Sequence, residues 1–293
     1  MSFSSTVKEE LSRQLTPARH CQIAELAGIL ELEGMLDEEG KLVVSNENSL
    51  LQTKYGLLLQ KIFGEKQEVL QIMQTLHWDQ EPYRSRKINH RRADGMLVQQ
   101  TCCKRAFIRG AFMAAGSISD PNKSYHFEIV CHTLEQAQQL KELMEFFETE
   151  PKIVERKERM VVYLKEGSQI VDLLNVMEAY VSLMNLENVR ILKEMRNSVN
   201  RKVNCETANI NKTVNAAVKQ IEDIRLLEEK VGLESLNEGL EEIARLRLQY
   251  PEATLKELGL MLNPQVGKSG VNHRLRKLSL LADDLRENKE ELL

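Results

Sequence analysis

The chain lacks an apolar run approaching eighteen residues, an apolar segment behind a basic amino terminus, and a C-x-x-C pair. Without the first, no membrane-spanning helix is expected. Without the second, "MSFSSTVKEELSR" does not read as a secretion signal, and a cytoplasmic protein is expected. The five cysteines (Cys21, Cys102, Cys103, Cys131, Cys205) are odd in number, and none of the six scattered histidines pairs with another at ligand spacing. That pattern points to reduced thiols and argues against a zinc site; no cofactor is expected. An excess of positive charge is lacking too, since 40 Lys and Arg stand against 44 Asp and Glu, a net charge of −4. The total therefore does not announce a nucleic-acid binder, and only local basic surface could make one.

What is present is 42% hydrophobic and 29% charged residues, the balance of a soluble protein with a real core. A length of 293 residues suits one large domain or two of ordinary size. Residues 21–32 read as a helix with Ile23, Leu26, Ala27 and Leu30 on one side. "GKLVVSN" follows as a short strand turned at Gly40, then "SLLQTKYGLLLQKIFG" as a helix stopped by Gly64. "EVLQIMQTL" and "DGMLVQQT" read as strands on either side of the basic stretch "YRSRKINHRR". From Cys103 the order returns, beginning with a helix "KRAFIRGAFMAAG" ended by Gly116 and a strand "SYHFEIVCH". "TLEQAQQLKELMEFF" is a helix capped by Thr133, without a full capping box because Glu135 falls one position short. A hairpin, "PKIVERKERMVVYLK", and a closing helix, "SQIVDLLNVM", complete it. Helix–strand–helix–strand–strand thus occurs twice, over about 20–100 and 101–185.

Within this repeat lies "LAGILELEG", Leu26 to Gly34, which resembles the helix that names the LAGLIDADG homing endonucleases. "IRGAFMAAG" echoes it, placing Gly110 over Gly28 and Gly116 over Gly34. In those endonucleases small residues let two such helices pack across a pseudo-two-fold axis, and the final acidic residue of each holds metal at the scissile phosphates. The resemblance implies a duplicated frame in which Glu33 keeps the first acidic position while Ala115 stands at the second. A methyl group offers a metal nothing, so no catalytic or metal site is expected and the chain is not expected to be an enzyme. Two alternatives remain at this level. Both segments could be ordinary amphipathic helices with small residues, or Glu33 could be the remaining ligand of a residual metal-dependent endonuclease rather than a solvated carboxylate.

From Glu187 the composition changes. "RNSVNRKVNCETANINK" is rich in asparagine and basic residues, and a helical tract is predicted from Thr213 to about Lys230. A boundary near Val203 would give an N-terminal α+β domain, 1–203, and an all-α domain, 204–293. Beyond the tract, "ESLNEGLEEIARLRLQY", "TLKELGLML" and "KSGVNHRLRKLSLLADDL" read as three helices separated by Pro251 and "NPQVG".

The last two helices carry the sharpest functional pattern. Thr254 and Glu257 form a capping box, and Leu255, Leu258, Met261 and Leu262 make one apolar face. Ser269 can cap the next helix, whose inner face is Val271, Leu275, Leu278 and Leu281. Its other face shows Asn272, His273, Arg276 and Lys277, flanked by Lys268 and Arg274, and no acid occurs from Gly267 to Leu278. Such a face suits the major groove, where Arg can grip guanine, Asn can pair with adenine, and Lys or Ser can hold phosphates. The connection from Asn263 to Lys268 is longer than the usual helix-turn-helix turn. A basic surface helix with no partner is the plainer alternative. Two further zones could hold the DNA backbone. Arg84, Arg86, Lys87, Arg91 and Arg92 lie on a strand ribbon or a solvated loop, while Arg201 and Lys202, with Arg196, Lys212 and five asparagines, form phosphate contacts or an ordered hinge.

Taken in order, the degenerate helix pair, "VNRKVNCETANINKTV" and "LKELGLMLNPQVGKSGVNHRLRKL" resemble the WhiA family along essentially the whole chain. The resemblance implies a nuclease-derived domain without nuclease activity, joined to a helix-turn-helix similar to the promoter-reading part of sigma factors (region 4). It further implies a nucleoid-associated regulator of transcription, cell division and chromosome segregation that binds double-stranded DNA. In sporulating relatives it also implies a role in sporulation and a WhiB-type iron–sulfur protein as partner. An interaction scaffold with secondary DNA contact is the remaining alternative.

Overall fold

The computed structural model describes residues 2–65, 67–78 and 88–290. The chain divides into two compact units, Met1–Met195 and Arg196–Leu293. The first runs through α1 (Phe3–Arg13), α2 (Arg19–Glu33), β1 (Gly34–Leu36), β2 (Leu42–Val44), α3 (Ser49–Phe63) and α4 (Val69–Thr75). It continues with α5 (Thr101–Ala115), β3 (Gly116–Ile118), β4 (Phe127–Cys131), α6 (Leu134–Glu145), β5 (Lys152–Arg156), β6 (Arg159–Leu164) and α7 (Gly167–Val176). Helix α8 (Tyr180–Lys230) begins in this unit. The second unit holds the rest of α8, then α9 (Glu238–Gln249), α10 (Leu255–Met261) and α11 (Lys268–Glu290).

The first unit is built on the pair α2 and α5. Each helix ends one residue before a glycine that opens a three-residue strand, Gly34 into β1 and Gly116 into β3. A Cβ on Gly28 would strike the Phe107 carbonyl of α5, and one on Gly110 would strike the Glu25 carbonyl of α2. The two contacts are the same contact seen from opposite sides of a pseudo-dyad. Only glycine lets the backbones approach this closely. An apolar stripe on one side of α2 is too modest a description, because every residue from Cys21 to Leu32 except Ile23 is buried. The helix is enclosed all round, as a central element must be.

Strands β1 and β2 pair antiparallel, with Gly34 opposite Val44 and Leu36 opposite Leu42. The second repeat carries a four-stranded antiparallel sheet in the order β3-β4-β6-β5, whose β5–β6 hairpin matches the one expected. The halves differ where the sequence suggested they would agree. "EVLQIMQTL" is helix α4 rather than a strand, and "DGMLVQQT" contains a short 3₁₀ turn, Gly95–Val98, opened by Asp94. The reason is spacing: Val69, Ile72, Met73 and Leu76 recur at three and four residues, and the last three are buried. Helix α6 also differs in detail. Its capping box is complete, because Gln136 rather than Glu135 occupies the third position and its side chain reaches back to the Thr133 N–H.

Gln136 and Gln139 of α6 hold the end of the basic stretch and the residue that follows it. Gln136 Nε2 donates to the carbonyls of Glu31, Asn89 and Arg91, and Gln139 Nε2 donates to that of Ala93. Beneath them the Ala93 N–H donates to Glu31 Oε2 at 2.7 Å. Glu31 is only 2% exposed, and burial pushes its carboxyl up to about 8. The sign follows from linkage: an unfolded Glu ionises near 4.5 while the folded one stays protonated to about 8, so stability falls as pH rises between them. Glu31→Gln keeps an acceptor for Ala93 and removes the titration. Denaturation midpoints of the wild type should decline from pH 5 to 8, at a slope of about 1.4 kcal/mol per pH unit from this group, and those of Glu31→Gln should decline less steeply. Parallel profiles would mean that Glu31 ionises normally.

Helix α8 begins far earlier than the tract predicted from Thr213, and it takes in the asparagine-rich segment and position 203. No residue from 187 to 222 is buried. The stretch is held mainly by its own backbone ladder, with little of the tertiary packing that usually secures a helix; near its start Lys193 Nζ donates to the Pro121 carbonyl at 2.6 Å and lies over the Tyr125 ring. Its end returns to a core in which Ile224 and Leu227 join Leu240, Ile243 and Ala244 of α9, Leu258 of α10, and Val271, Leu275 and Leu278 of α11.

Candidate nucleic-acid interface

Helices α10 and α11 form the helix-turn-helix. The Thr254–Glu257 capping box starts α10 as expected, with Glu257 Oε2 accepting from the Thr254 N–H at 2.7 Å. Leu258 and Leu262 are buried, Leu255 is partly buried, and Met261 is 45% exposed, so the apolar face is narrower than the four residues suggested. The long turn is secured by Gly259. Its carbonyl accepts from the Val266 N–H at 3.0 Å, and a side chain at 259 would collide with the Val266 carbonyl. Helix α11 starts at Lys268, where the Gly267 carbonyl accepts from Val271 N–H. Ser269 is therefore an exposed first-turn residue rather than the cap.

Val271, Leu275 and Leu278 face inward with Ala282, and Leu281 packs at the margin. On the opposite side Lys268, Ser269, Asn272, His273, Arg276 and Lys277 are all exposed. Their spacing of three and four residues lines them along one side of α11. None of these six side chains makes a hydrogen bond or ion pair among the described residues, so their donors and acceptors are open to a ligand. Arg274 stands apart. Its Nη1 donates to the Gly239 carbonyl at 3.3 Å, which ties α11 to the start of α9. Further along, Arg286 bonds both Asp283 and the buried Asp223 of α8, steadying the distal half of α11.

The other basic zones are less coherent. Arg84, Arg86 and Lys87 lie outside the described residues. Arg91 and Arg92 follow a turn rather than a strand ribbon, because side-chain amides of α6 hold this backbone in place of a ladder partner. Arg91 is half-buried and donates to the Trp78 carbonyl, while Arg92 is exposed within electrostatic reach of Glu31 and Glu135. Arg201 and Lys202 are exposed on α8. On the four-stranded sheet, Glu128, Tyr163 and Lys152 line up across strands, an alignment with no local mark in the sequence. Glu128 there is bonded to Arg156 at 3.2 Å and His126 at 3.0 Å, so its charges are partly cancelled.

At the C-terminal ends of α2 and α5, where endonucleases hold metal, Glu33 is half-buried and accepts from the Ser45 hydroxyl. Lys8 lies near enough for its ammonium to feel the Glu33 carboxylate, although burial outweighs that attraction and lowers the Lys8 pKa. Across the dyad Ala115 offers no ligand. Among the described residues, the one set of three or more His, Cys, Asp or Glu side chains close enough to share a metal lies elsewhere. It comprises His20, Cys21, Cys102 and Cys103, at the opposite ends of the same two helices.

Comparison with known proteins bears directly on this arrangement. Residues 104–196 match the family model described as the WhiA LAGLIDADG-like domain, and residues 199–282 match the WhiA C-terminal HTH domain. A "Probable cell division protein WhiA" from Lachnoclostridium phytofermentans is 52% identical over 98% of the chain and 100% of that protein. The chain belongs to the WhiA family. A second WhiA, from Lachnospira eligens, is 49% identical over 98% of each chain. The crystal structure of full-length DUF199/WhiA from Thermatoga maritima superposes with a TM-score of 0.59 at 25% identity, covering 97% of this chain and 99% of the other. The fold is thus that of WhiA, a LAGLIDADG endonuclease-like α+β domain followed by an all-α helix-turn-helix domain.

Proposed function

We propose that this WhiA chain is a non-enzymatic regulator that binds double-stranded DNA, reads it with α11, and acts on transcription in cell division and chromosome segregation from a place on the nucleoid. The observation that carries the reading is the acid-free side of α11, where six polar side chains stand exposed without partners. Asn272 and Arg276 are one helical turn apart at its centre and serve as the base readers. Lys268, Ser269, His273 and Lys277 flank them and serve as phosphate holders. Arg201, Lys202, Arg91 and Arg92 are secondary backbone contacts, and a second DNA-facing surface on one chain adds avidity to a helix-turn-helix of modest affinity. A WhiB-type or other regulatory protein partner belongs to the same reading and rests on the family resemblance alone.

The absence of catalysis follows from chemistry at the helix ends. Two-strand cutting requires metal-bound carboxylate on both sides of the dyad, and this chain has Glu33 on one side and Ala115 on the other. Supercoiled plasmid mixed with the full chain and Mg²⁺ or Mn²⁺ at low salt should be retarded on a gel and recovered uncut. Nicked circles that disappear with Glu33→Gln would establish a residual endonuclease instead. No retardation even at low salt would leave a protein-interaction scaffold.

A further inference from the structure

The N-terminal ends of α2 and α5 bring together side chains that the sequence keeps far apart. Cys102 lies 82 positions after His20, the same interval that separates Gly110 from Gly28 and Cys103 from Cys21. The four residues are therefore two pairs of pseudo-equivalent positions, delivered to one point by the dyad that packs the helices. His20 Nδ1 is 3.2 Å from Cys103 Sγ, 3.4 Å from Cys21 Sγ and 4.0 Å from Cys102 Sγ. All four ligand atoms lie within 4.8 Å of one another.

We propose that His20, Cys21, Cys102 and Cys103 form a structural zinc site that clasps α2 to α5. Three thiolates and one imidazole are a complete tetrahedral set for Zn²⁺, whose bonds of about 2.3 Å to sulfur and 2.0 Å to nitrogen imply ligand separations of about 3.4–3.8 Å. The imidazole-to-sulfur distances straddle that range, so small side-chain adjustments close the polyhedron. Soft thiolate ligands select zinc over hard cations. Cys21 and Cys103 are buried and form the floor, while His20 and Cys102 are exposed and leave a path for the ion to enter.

The helix ends suit the charge of such a centre. Each cysteine sits in the first turn of its helix, where the macrodipole favours thiolate; burial pushes the Cys21 and Cys103 thiols up in the absence of metal, so the charge of the bound ion itself is what would hold them deprotonated. Neither helix has an acidic residue in that turn, and neither Ala18 nor Gln100 supplies a side-chain cap. No carboxylate competes there for the thiolates' place. The clasp holds the ends of the helix pair opposite Glu33 and Ala115, so this metal would fix architecture at the far side from the position of the lost nuclease centre.

Metal analysis of the full reduced chain, reconstituted with Zn²⁺ and passed through a desalting column, should find about one zinc per chain. Replacement by Co²⁺ should give the intense visible bands of tetrahedral cobalt with thiolate-to-cobalt charge transfer in the near ultraviolet. Cys102→Ser exchanges an exposed side chain and should leave the fold intact by circular dichroism while lowering the charge-transfer intensity by about a third, one thiolate of three. His20→Ala should weaken zinc retention with the charge-transfer band kept. No retained zinc and no tetrahedral cobalt spectrum from wild type would overturn the proposal. So would a disulfide joining Cys21 to Cys102 or Cys103 in the freshly isolated protein, which would make the cluster a redox pair.

Discussion

Glu25→Gln should lower the stability of the N-terminal unit by about 3–5 kcal/mol, the cost of leaving buried charge without its partner. Glu25 is wholly buried in the middle of the "LAGILELEG" helix. Its Oε1 lies 3.0 Å from Lys54 Nζ and 3.0 Å from Arg109 Nε, and its Oε2 lies 3.1 Å from Arg109 Nη2. Both cations are buried as well, and Arg109 reaches on to Glu178 at 2.8 Å and to the Thr16 hydroxyl at 2.9 Å. The amide keeps shape but not charge, so two buried cations would face each other with only the half-exposed Glu178 to balance them. The single tryptophan, Trp78, is buried in this unit and reports its unfolding by fluorescence, separately from the helix-turn-helix. Adding Lys54→Met to Glu25→Gln removes one stranded cation and should recover part of the loss, a coupling that a double-mutant cycle measures directly. A loss below about 1 kcal/mol would put the network in the class of solvated pairs and refute its part in seating α5 against α2.

Asn272→Ala with Arg276→Ala should weaken binding to a specific duplex by at least about 10-fold, since each base contact is worth about 1–3 kcal/mol and the losses of neighbouring side chains add only in part. Both side chains are exposed and unpaired, and the core positions Val271, Leu275 and Leu278 lie on the other side of α11. Folding of the second unit should therefore be unaffected, and the loss should appear in binding alone. Lys268→Ala behaves differently if it holds a phosphate. It should weaken all duplexes alike and flatten the log–log salt dependence by about 0.9. Gel shifts on fragments recovered from the protein's own chromosomal sites would show both effects.

How much of this was legible beforehand differs by element. The dyad was readable because Gly28 and Gly110 recur in matching nine-residue frames, and the close backbone approach they permit is a local demand that leaves a local trace. The α10 cap and the two faces of α11 were readable for the same reason, through the Thr254–Glu257 spacing and the leucines at 275 and 278. Helix α4 was misread because a short apolar run, "VLQIMQTL", satisfies both periods until neighbours decide which side is covered. The tract from Thr213 to Lys230 was legible as helix, but the part of α8 before it was not, because its asparagines and valines are weak helix formers and leave no positive helical signature, although nothing in the segment 196–212 forces a different conformation. The buried ion cluster left only a faint sign, charged residues Glu25, Lys54 and Arg109 at positions where the pattern called for apolar ones. The His20 and cysteine cluster was hidden because its side chains come from two helices and no local C-x-x-C loop marks it. The repeat interval of 82 was the signal that could have found it.

The most direct test is an equilibrium titration of a labelled duplex carrying a mapped chromosomal site, and of a scrambled duplex, with wild type and the Asn272→Ala/Arg276→Ala variant over a range of salt. Wild type should prefer the mapped site, and the variant should lose that preference while retaining salt-dependent affinity for both duplexes. Equal preference in the two proteins would contradict the assignment of DNA reading to α11.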